Sequence, residues 1–322
     1  MKRSIIGGLQ FQLAGQRWLA FPAVLAAVLL VAADARAQIN SLTREQMIKY
    51  TAQNPFDRFP DGRPKVPDAL LEKLKDMSSE EVMGAGRAPG AGGPGGGGAA
   101  AAGGNQYTDG WKILHPGKKL IGRAVTLQLM PYRAEVATVD AEEWKKKGNS
   151  VPLSHQSGLD VLQPGDVIVV DVGGSVDAGG IIGDNLAYYI WKKTGTGFVI
   201  DGAIRDLEGI ATFDMAGYFR GATPPAIRGL MTTGINVPVR IGGVTVMPGD
   251  VVFGDQEGVN FIPPQAVQRF IDAAQTVHIH DEWTRKKFSE GKYKSTDIYG
   301  RPHDPELIKE YEEYLKQRRA PK

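Results

Sequence analysis

From about residue 111 onward, apolar positions fall into short β-branched runs separated by helical stripes. Leu120, Ile121, Val125, Leu127 and Leu129 predict a strand over residues 119–129. The run VIVVDV at 167–172 follows the turn Pro164-Gly165-Asp166 and reads as a strand buried on both faces. Residues 184–193, DNLAYYIWKK, predict a helix whose acidic start and basic end suit the macrodipole. A second short buried strand, FVID, occupies 198–201, and further strands are predicted over 237–246 and 251–253, split by Pro248-Gly249-Asp250. Pro263-Pro264 then opens a helix with Ala266, Val267, Phe270, Ile271 and Ala274 on one face. Strand and helix alternation over this stretch predicts an α/β domain spanning 105–275.

The flanks read differently. Thr43, with Gln46 three residues on, forms a capping-box signal. Residues 54–67 are rich in proline and charge and read as extended chain, and Pro67-Asp68 opens an amphipathic helix through Leu70, Leu71 and Leu74. Together these define an N-terminal helical arm, 38–83. Residues 84–104 are almost wholly Gly, Ala and Pro, a composition that cannot bury a core and predicts a flexible surface loop. No strand precedes this stretch and no Gly-Lys-Ser/Thr follows, so a phosphate loop is a poor reading of it. In the C-terminal extension, 276–322, Asp304-Pro305 starts a helix with an apolar stripe of Leu307, Tyr311, Tyr314 and Leu315, expected to dock on the core or on a neighbouring subunit.

The first 37 residues read as a signal peptide. Lys2, Arg3 and Arg17 precede an apolar run at 18–33, and Ala35-Arg36-Ala37 resembles a signal-peptidase site, so cleavage after Ala37 and export to the periplasm are expected. An uncleaved N-terminal membrane anchor is the competing reading, although the run is short for a span of about 20 residues. No other segment could cross a membrane, so the mature chain is expected to be free of it.

Charge and composition narrow the chemistry. The 322 residues carry 38 basic and 36 acidic side chains, a net charge of +2, which lacks the basic excess of a nucleic-acid binder. There is no cysteine, so disulfides, thiolate metal sites and cysteine nucleophiles are excluded, and any metal must be held by oxygen or imidazole.

The most informative stretch is 183–206, GDNLAYYIWKKTGTGFVIDGAIRD. Gly183-Asp184-Asn185 stands at a helix N-terminus, where free N–H groups and the dipole favour an anion. After the next strand the chain turns through Asp201-Gly202 into Arg205-Asp206. Arginine offers a planar fork for carboxylate or enolate oxygens, and aspartate is a hard ligand for magnesium or manganese. An adjacent Arg and Asp alone would equally suit a surface ion pair; the complementary chemistry at both ends of the unit favours a site for a metal-chelated 2-oxo acid.

Here the sequence resembles the class II pyruvate aldolases of the RraA-like superfamily, typified by 4-hydroxy-4-methyl-2-oxoglutarate aldolase. Active members share an Asp, twenty intervening residues and then Arg-Asp, the spacing of Asp184, Arg205 and Asp206. Gly122-Arg123-Ala124-Val125-Thr126, Pro164-Gly165-Asp166 with VIVVD, Val237-Pro238-Val239, Gly242-Gly243 and PGDVVFGDQEGVNFIP match in order. The resemblance implies an RraA-like swivelling β/β/α domain. It implies that Gly183, Asp184, Asn185 and Leu186 bind the pyruvate moiety, that Arg205 binds substrate and that Asp206 ligates Mg2+ or Mn2+. It further implies a homotrimer or hexamer with sites near the interfaces, and cleavage of a small 2-oxo acid through a metal-stabilised pyruvate enolate. Retro-aldol cleavage of 4-hydroxy-4-methyl-2-oxoglutarate and decarboxylation of oxaloacetate share that enolate.

The chain departs from the family in its arm, glycine-rich loop and tail, and the segment 134–160 is longer than the family norm. An acidic residue lent by a neighbouring subunit has no clear match; Asp255 and Glu257 are the candidates. His278 and His280 flank Ile279 without a third ligand nearby and read as surface histidines; Asp171 and Asp177 near the site read as positioning a water, with Asp171 alternatively a cap of the turn after its strand; and Tyr188, Tyr189 and Trp191 read as packing. The principal alternative is a non-catalytic binding or regulatory protein, since some superfamily members inhibit an RNA-degrading enzyme but lack the full Asp–Arg–Asp set. A methyltransferase has no glycine motif after a strand to support it.

Overall fold

The computed structural model describes residues 41–86, 106–300 and 302–319. The expected signal peptide and all but the first residues of the glycine-rich loop lie outside these, and among the described residues no helix is long and apolar enough to cross a membrane. In chain order the first elements are α1 (Arg44–Tyr50), α2 (Asp68–Lys73) and α3 (Ser79–Gly86). Thr43 caps α1 by the expected capping box: its hydroxyl accepts from the Gln46 N–H, and the Gln46 side chain accepts from the Thr43 N–H. Helix α3 was not foreseen and takes in Gly84–Gly86 at its end.

The sheet elements and their helices follow: β1 (Gln106–Thr108), β2 (Lys112–Ile113), β3 (Leu120–Pro131), α4 (Ala134–Lys146), α5 (His155–Asp160), β4 (Asp166–Asp171), α6 (Asp184–Thr194), β5 (Gly197–Ile204), α7 (Leu207–Ile210), β6 (Ala216–Ala222), β7 (Leu230–Ile235), β8 (Val239–Ile241), β9 (Val244–Val246), β10 (Val251–Gly254) and β11 (Val259–Ile262). One mixed sheet runs in the order β1-β11-β10-β3-β4-β5-β6-β2, with β7 paired to the far half of β3. Strands β3 to β6 are parallel, and the outer strands are antiparallel to their neighbours. All six residues of β4 are buried, as its uninterrupted β-branched run requires: Val167 and Val169 face one cluster, Ile168 and Val170 another. The stretch read as one strand over 237–246 is instead the hairpin β8–β9, turning at Gly242, whose φ of 56° is left-handed and suits glycine.

The arm is built into the core. Val66, Leu71, Leu74, Met77 and Val82 pack with Phe253, Phe270 and Ile271. Arg63, in the proline- and charge-rich stretch, is 1% exposed and makes a two-pronged ion pair with fully buried Asp166 at 2.8 Å for each prong. Helix α8 (Val267–Ser289) passes without a break through residue 275, where the sequence suggested the domain ends. Beyond it, α9 (Ser295–Ile298) and α10 (Pro305–Arg319) pack Ile298 and Leu307 against Trp283 of α8, so the tail docks within its own chain. Asp304 caps α10 by accepting from the Glu306 N–H at 2.8 Å.

Candidate active site

In an open α/β sheet, ligands gather at the carboxyl ends of the parallel strands. Here the ends of β4 and β5 carry the loop 172–183 and the Arg205-Asp206 pair. The loop returns along the end of β5: Gly180 bridges to Ala203, the Ile181 N–H donates to Ala203 O at 2.9 Å, and the Arg205 N–H donates to Ile182 O at 2.9 Å. A Cβ at Gly180 would stand 2.6 Å from the Arg205 Cβ, so glycine lets the two backbones touch.

This return brings the predicted residues together. A Cβ at Gly183 would lie 2.3 Å from Asp206 Oδ2 and 3.1 Å from Arg205 Nε. In the reverse sense, a Cβ at Gly209 would lie 3.0 Å from the Asp184 Cβ and 3.2 Å from its Oδ2. Each carboxylate therefore rests on a glycine of the other segment. Gly180 and Gly209 were not singled out from the sequence; the signals available were the Gly179-Gly180 pair and a glycine three residues after Arg-Asp.

Asp206 is held in an unusual way. Its backbone is left-handed, with φ 56° and ψ 41°, and only Asn236 shares a positive φ among the described non-glycine residues. It occupies the N-cap position of α7 yet makes no side-chain capping bond. Aspartate there usually contributes about 1 kcal/mol by capping. This side chain instead turns toward Arg205, with Nε to Oδ2 at 3.7 Å and both side chains about two-fifths exposed. Strain of this kind concentrates at working sites.

The helix N-terminus differs from expectation in one respect. The Asp184 carboxylate itself accepts from the Asn185 N–H at 2.7 Å, so part of the anion-binding capacity of α6 is met from within. Asn185 is exposed and Leu186 half-buried, both on the first turn beside Asp206 and Arg205.

The donor set suits a hard cation. Asp206 offers an accessible carboxylate whose space Gly183 keeps open, and Asp184 lies one segment away. Among the described residues no three His, Asp or Glu side chains converge on one metal position. A cation here would keep most of its ligands as water or substrate oxygen, which is the habit of magnesium.

Other candidates have structural partners. Asp171 accepts from the N–H groups of Gly173 and Arg240, at 2.9 and 3.1 Å, the turn cap foreseen for it. The Asp255 carboxylate accepts from the N–H and hydroxyl of Ser79, at 2.7 and 2.6 Å, so it caps α3, and it also accepts from the Glu257 N–H. His278 pairs with Glu81 at 2.8 Å and His280 with Gly300 O at 2.6 Å, so both have structural partners. Tyr188 and Trp191 pack on Phe213, with ring centroids 5.3 and 5.9 Å away, and Tyr188 and Leu207, which follows Asp206 in the chain, stay exposed.

A mixed α/β sheet with a Gly-Asp helix start and an Arg-Asp strand end defines the class. The chain belongs to the RraA-like family, whose aldolase/RraA model matches residues 98–260. The 4-hydroxy-4-methyl-2-oxoglutarate aldolase of Thermus thermophilus is 33% identical over 99 residues, 31% of this chain and 60% of that protein. A relative in Halalkalibacterium halodurans, bearing the same aldolase name in provisional form, is 35% identical over 128 residues, 39% of this chain. The match spans 60% of that relative's length, so much of both proteins lies outside the shared region. Among solved structures, Streptomyces coelicolor RraAS2, described as an unusual member of the RNase ES inhibitor RraA protein family, superimposes with a TM-score of 0.55. It is 29% identical and covers 71% of this chain and all of its own.

Proposed function

We propose that the protein is a divalent-metal-dependent lyase that breaks a C–C bond of a small 2-oxo acid. The observation that carries this reading is the meeting of Gly183 and Asp184 with Arg205 and Asp206 across two strand ends. Asp206, backed by Asp184, would hold magnesium or manganese. When bound, the cation supplies a Lewis acid for the carboxylate and keto oxygens of the substrate.

The chain's own residues do the rest. The Arg205 guanidinium binds the substrate carboxylate and places positive charge where the enolate oxygen develops. The Gly183–Leu186 turn packs against the pyruvate moiety, with Gly183 allowing close approach. Asp184 holds a water that accepts the 4-hydroxyl proton of 4-hydroxy-4-methyl-2-oxoglutarate as the C3–C4 bond breaks. The bond pair passes into the pyruvate enolate, the other fragment leaves as pyruvate, and protonation at C3 gives the second pyruvate. With oxaloacetate the leaving fragment is CO2 and the same enolate remains.

The exposed Tyr188 on α6 and Leu207 after Asp206 offer a contact for a second copy, in keeping with a trimer or hexamer. The leader supports export with cleavage after Ala37, which N-terminal sequencing of the mature protein would test. The likeness to RraAS2 favours the regulatory reading as the alternative; the retained Asp184, Arg205 and Asp206 favour the enzyme.

The deciding assay follows pyruvate release from oxaloacetate and from 4-hydroxy-4-methyl-2-oxoglutarate, with magnesium, with manganese and after EDTA. Turnover that needs added metal supports the lyase. No metal-dependent turnover on a broad panel of 2-oxo acids would favour the regulator.

A further inference from the structure

Strand β5 gains a residue on β6 just before the site. Ile200 pairs with Phe219, but the next pairs are Ala203 with Gly221 and Ile204 with Ala222. Asp201 and Gly202 therefore stand opposite Arg220 alone, a β-bulge in a parallel pair, where bulges are rare. Bulges gather next to active sites because they re-aim the side chains that follow. Here those side chains include Arg205 and Asp206.

A largely buried ion pair fastens the bulge. Asp201 is 2% exposed, and its carboxylate accepts from Arg220 Nε at 2.6 Å and from the Gly242 N–H, at the turn of the β8–β9 hairpin, at 2.8 Å. The Arg220 guanidinium also donates to Asp109 O at 2.6 Å and lies 3.6 Å from the centre of the Trp111 ring. The Gly174 N–H donates to Asp201 O at 2.9 Å, and a Cβ at Gly202 would stand 3.0 Å from the Val172 side chain, so the loop 172–183 closes over the bulge. A buried ion pair adds little net stability over an apolar pair of similar volume, and selecting one register among several is its better-attested use.

The competing register is a slip. Without the extra residue, β5 beyond Ile200 would run in regular pairing with β6, and each later side chain would shift by about 3.3 Å and turn to the opposite face. Three hydrogen bonds belong to the bulged register: Ile181 N–H to Ala203 O, Arg205 N–H to Ile182 O and Thr223 N–H to Ile204 O, each 2.9 Å.

We propose that Asp201 and Arg220 are positioning residues, locking the bulge that sets Arg205 and Asp206 against Gly183 and Asp184. The inference rests on the reading of Asp206 as the ligand of a divalent cation.

Amide hydrogen exchange, followed by NMR, and manganese titration, followed by electron paramagnetic resonance, test it in the full chain carrying Arg220→Lys, which keeps the charge and loses the fork. Exchange at Ile181, Arg205 and Thr223 should quicken by roughly tenfold or more, while Ala124 and Gly165, by the opposite end of β4, keep their protection. Manganese affinity should fall by roughly tenfold to 100-fold, the range for residues that orient a metal ligand from behind. Asp201→Asn, which keeps the shape and loses the charge, carries the same expectation. Unchanged exchange at the three amides, equal acceleration at all five, manganese affinity equal to that of wild type, or failure of both variants to fold would overturn the proposal. A wild type that takes up no manganese would remove the lyase reading instead, and the exchange pattern alone would then decide whether the pair sets the register.

Discussion

Gly183 leaves just enough room for the Asp206 carboxylate, because a Cβ at 183 would stand 2.3 Å from Oδ2. No rotation of a methyl group relieves such a contact, so the carboxylate must swing away. Gly183→Ala is therefore expected to lower turnover by about 100-fold, the cost of misplacing a reacting group by about 1 Å. Its melting temperature should stay near that of wild type. Parallel loss of activity and stability would mean that Gly183 serves the fold only.

Gly209 is expected to act through Asp184. Its φ is ordinary, so alanine strains no backbone there, and only the contact with Asp184 has to give. The added methyl presses on Asp184, and activity should fall about tenfold or more. In a double-mutant cycle Gly209→Ala should have no further effect once Asp184→Ala is present. Additive losses in the cycle would place the action of Gly209 elsewhere.

Parts of this arrangement were legible in the sequence and parts were not. The VIVVDV strand and the DNLAYYIWKK helix announce themselves because burial on both faces and a dipole-matched charge pattern are local properties. The Asp184–Arg205-Asp206 spacing was visible as a motif. Its convergence depends on residues 180–182 running beside Ala203 and Arg205, a tertiary pairing without a local signature. The same limit hid Arg63. In a stretch rich in proline and charge it reads as solvated, yet its partner Asp166 lies 103 residues away in a fully buried strand. The inward turn of Asp140 was equally unreadable, because the apolar positions of α4 suggest no acidic face.

The Arg63–Asp166 pair ties the arm to the sheet. Arg63→Met leaves the buried Asp166 carboxylate with only the Gln163 N–H at 2.8 Å and the Arg123 guanidinium at 3.9 Å, and should cost about 3 kcal/mol of stability, measured by urea unfolding. Arg63→Met with Asp166→Leu should recover most of that loss. A double variant as unstable as the single one would show that the arm depends on the arginine for more than charge pairing.

Asp250 sets a pH dependence of stability. Burial raises its pKa from 3.8 to about 7, opposed in part by the Met247 N–H, which donates to its carboxylate. An acid whose pKa is higher in the folded state favours folding while protonated in both states, and that advantage is lost as pH rises toward the folded value. Wild type should therefore lose stability relative to Asp250→Asn between about pH 4 and pH 7, and the gap should be widest above pH 7. Parallel melting curves for the two proteins across that range would remove Asp250 from the account.

Whether Asp206 holds a divalent cation is tested most directly, without any need for turnover, by manganese binding followed by electron paramagnetic resonance. The full chain should bind one manganese ion per subunit, more tightly in the presence of pyruvate, and Asp206→Ala should abolish that binding while remaining folded. Manganese binding that survives Asp206→Ala undiminished, or a wild-type protein that takes up none, would show that Asp206 holds no cation.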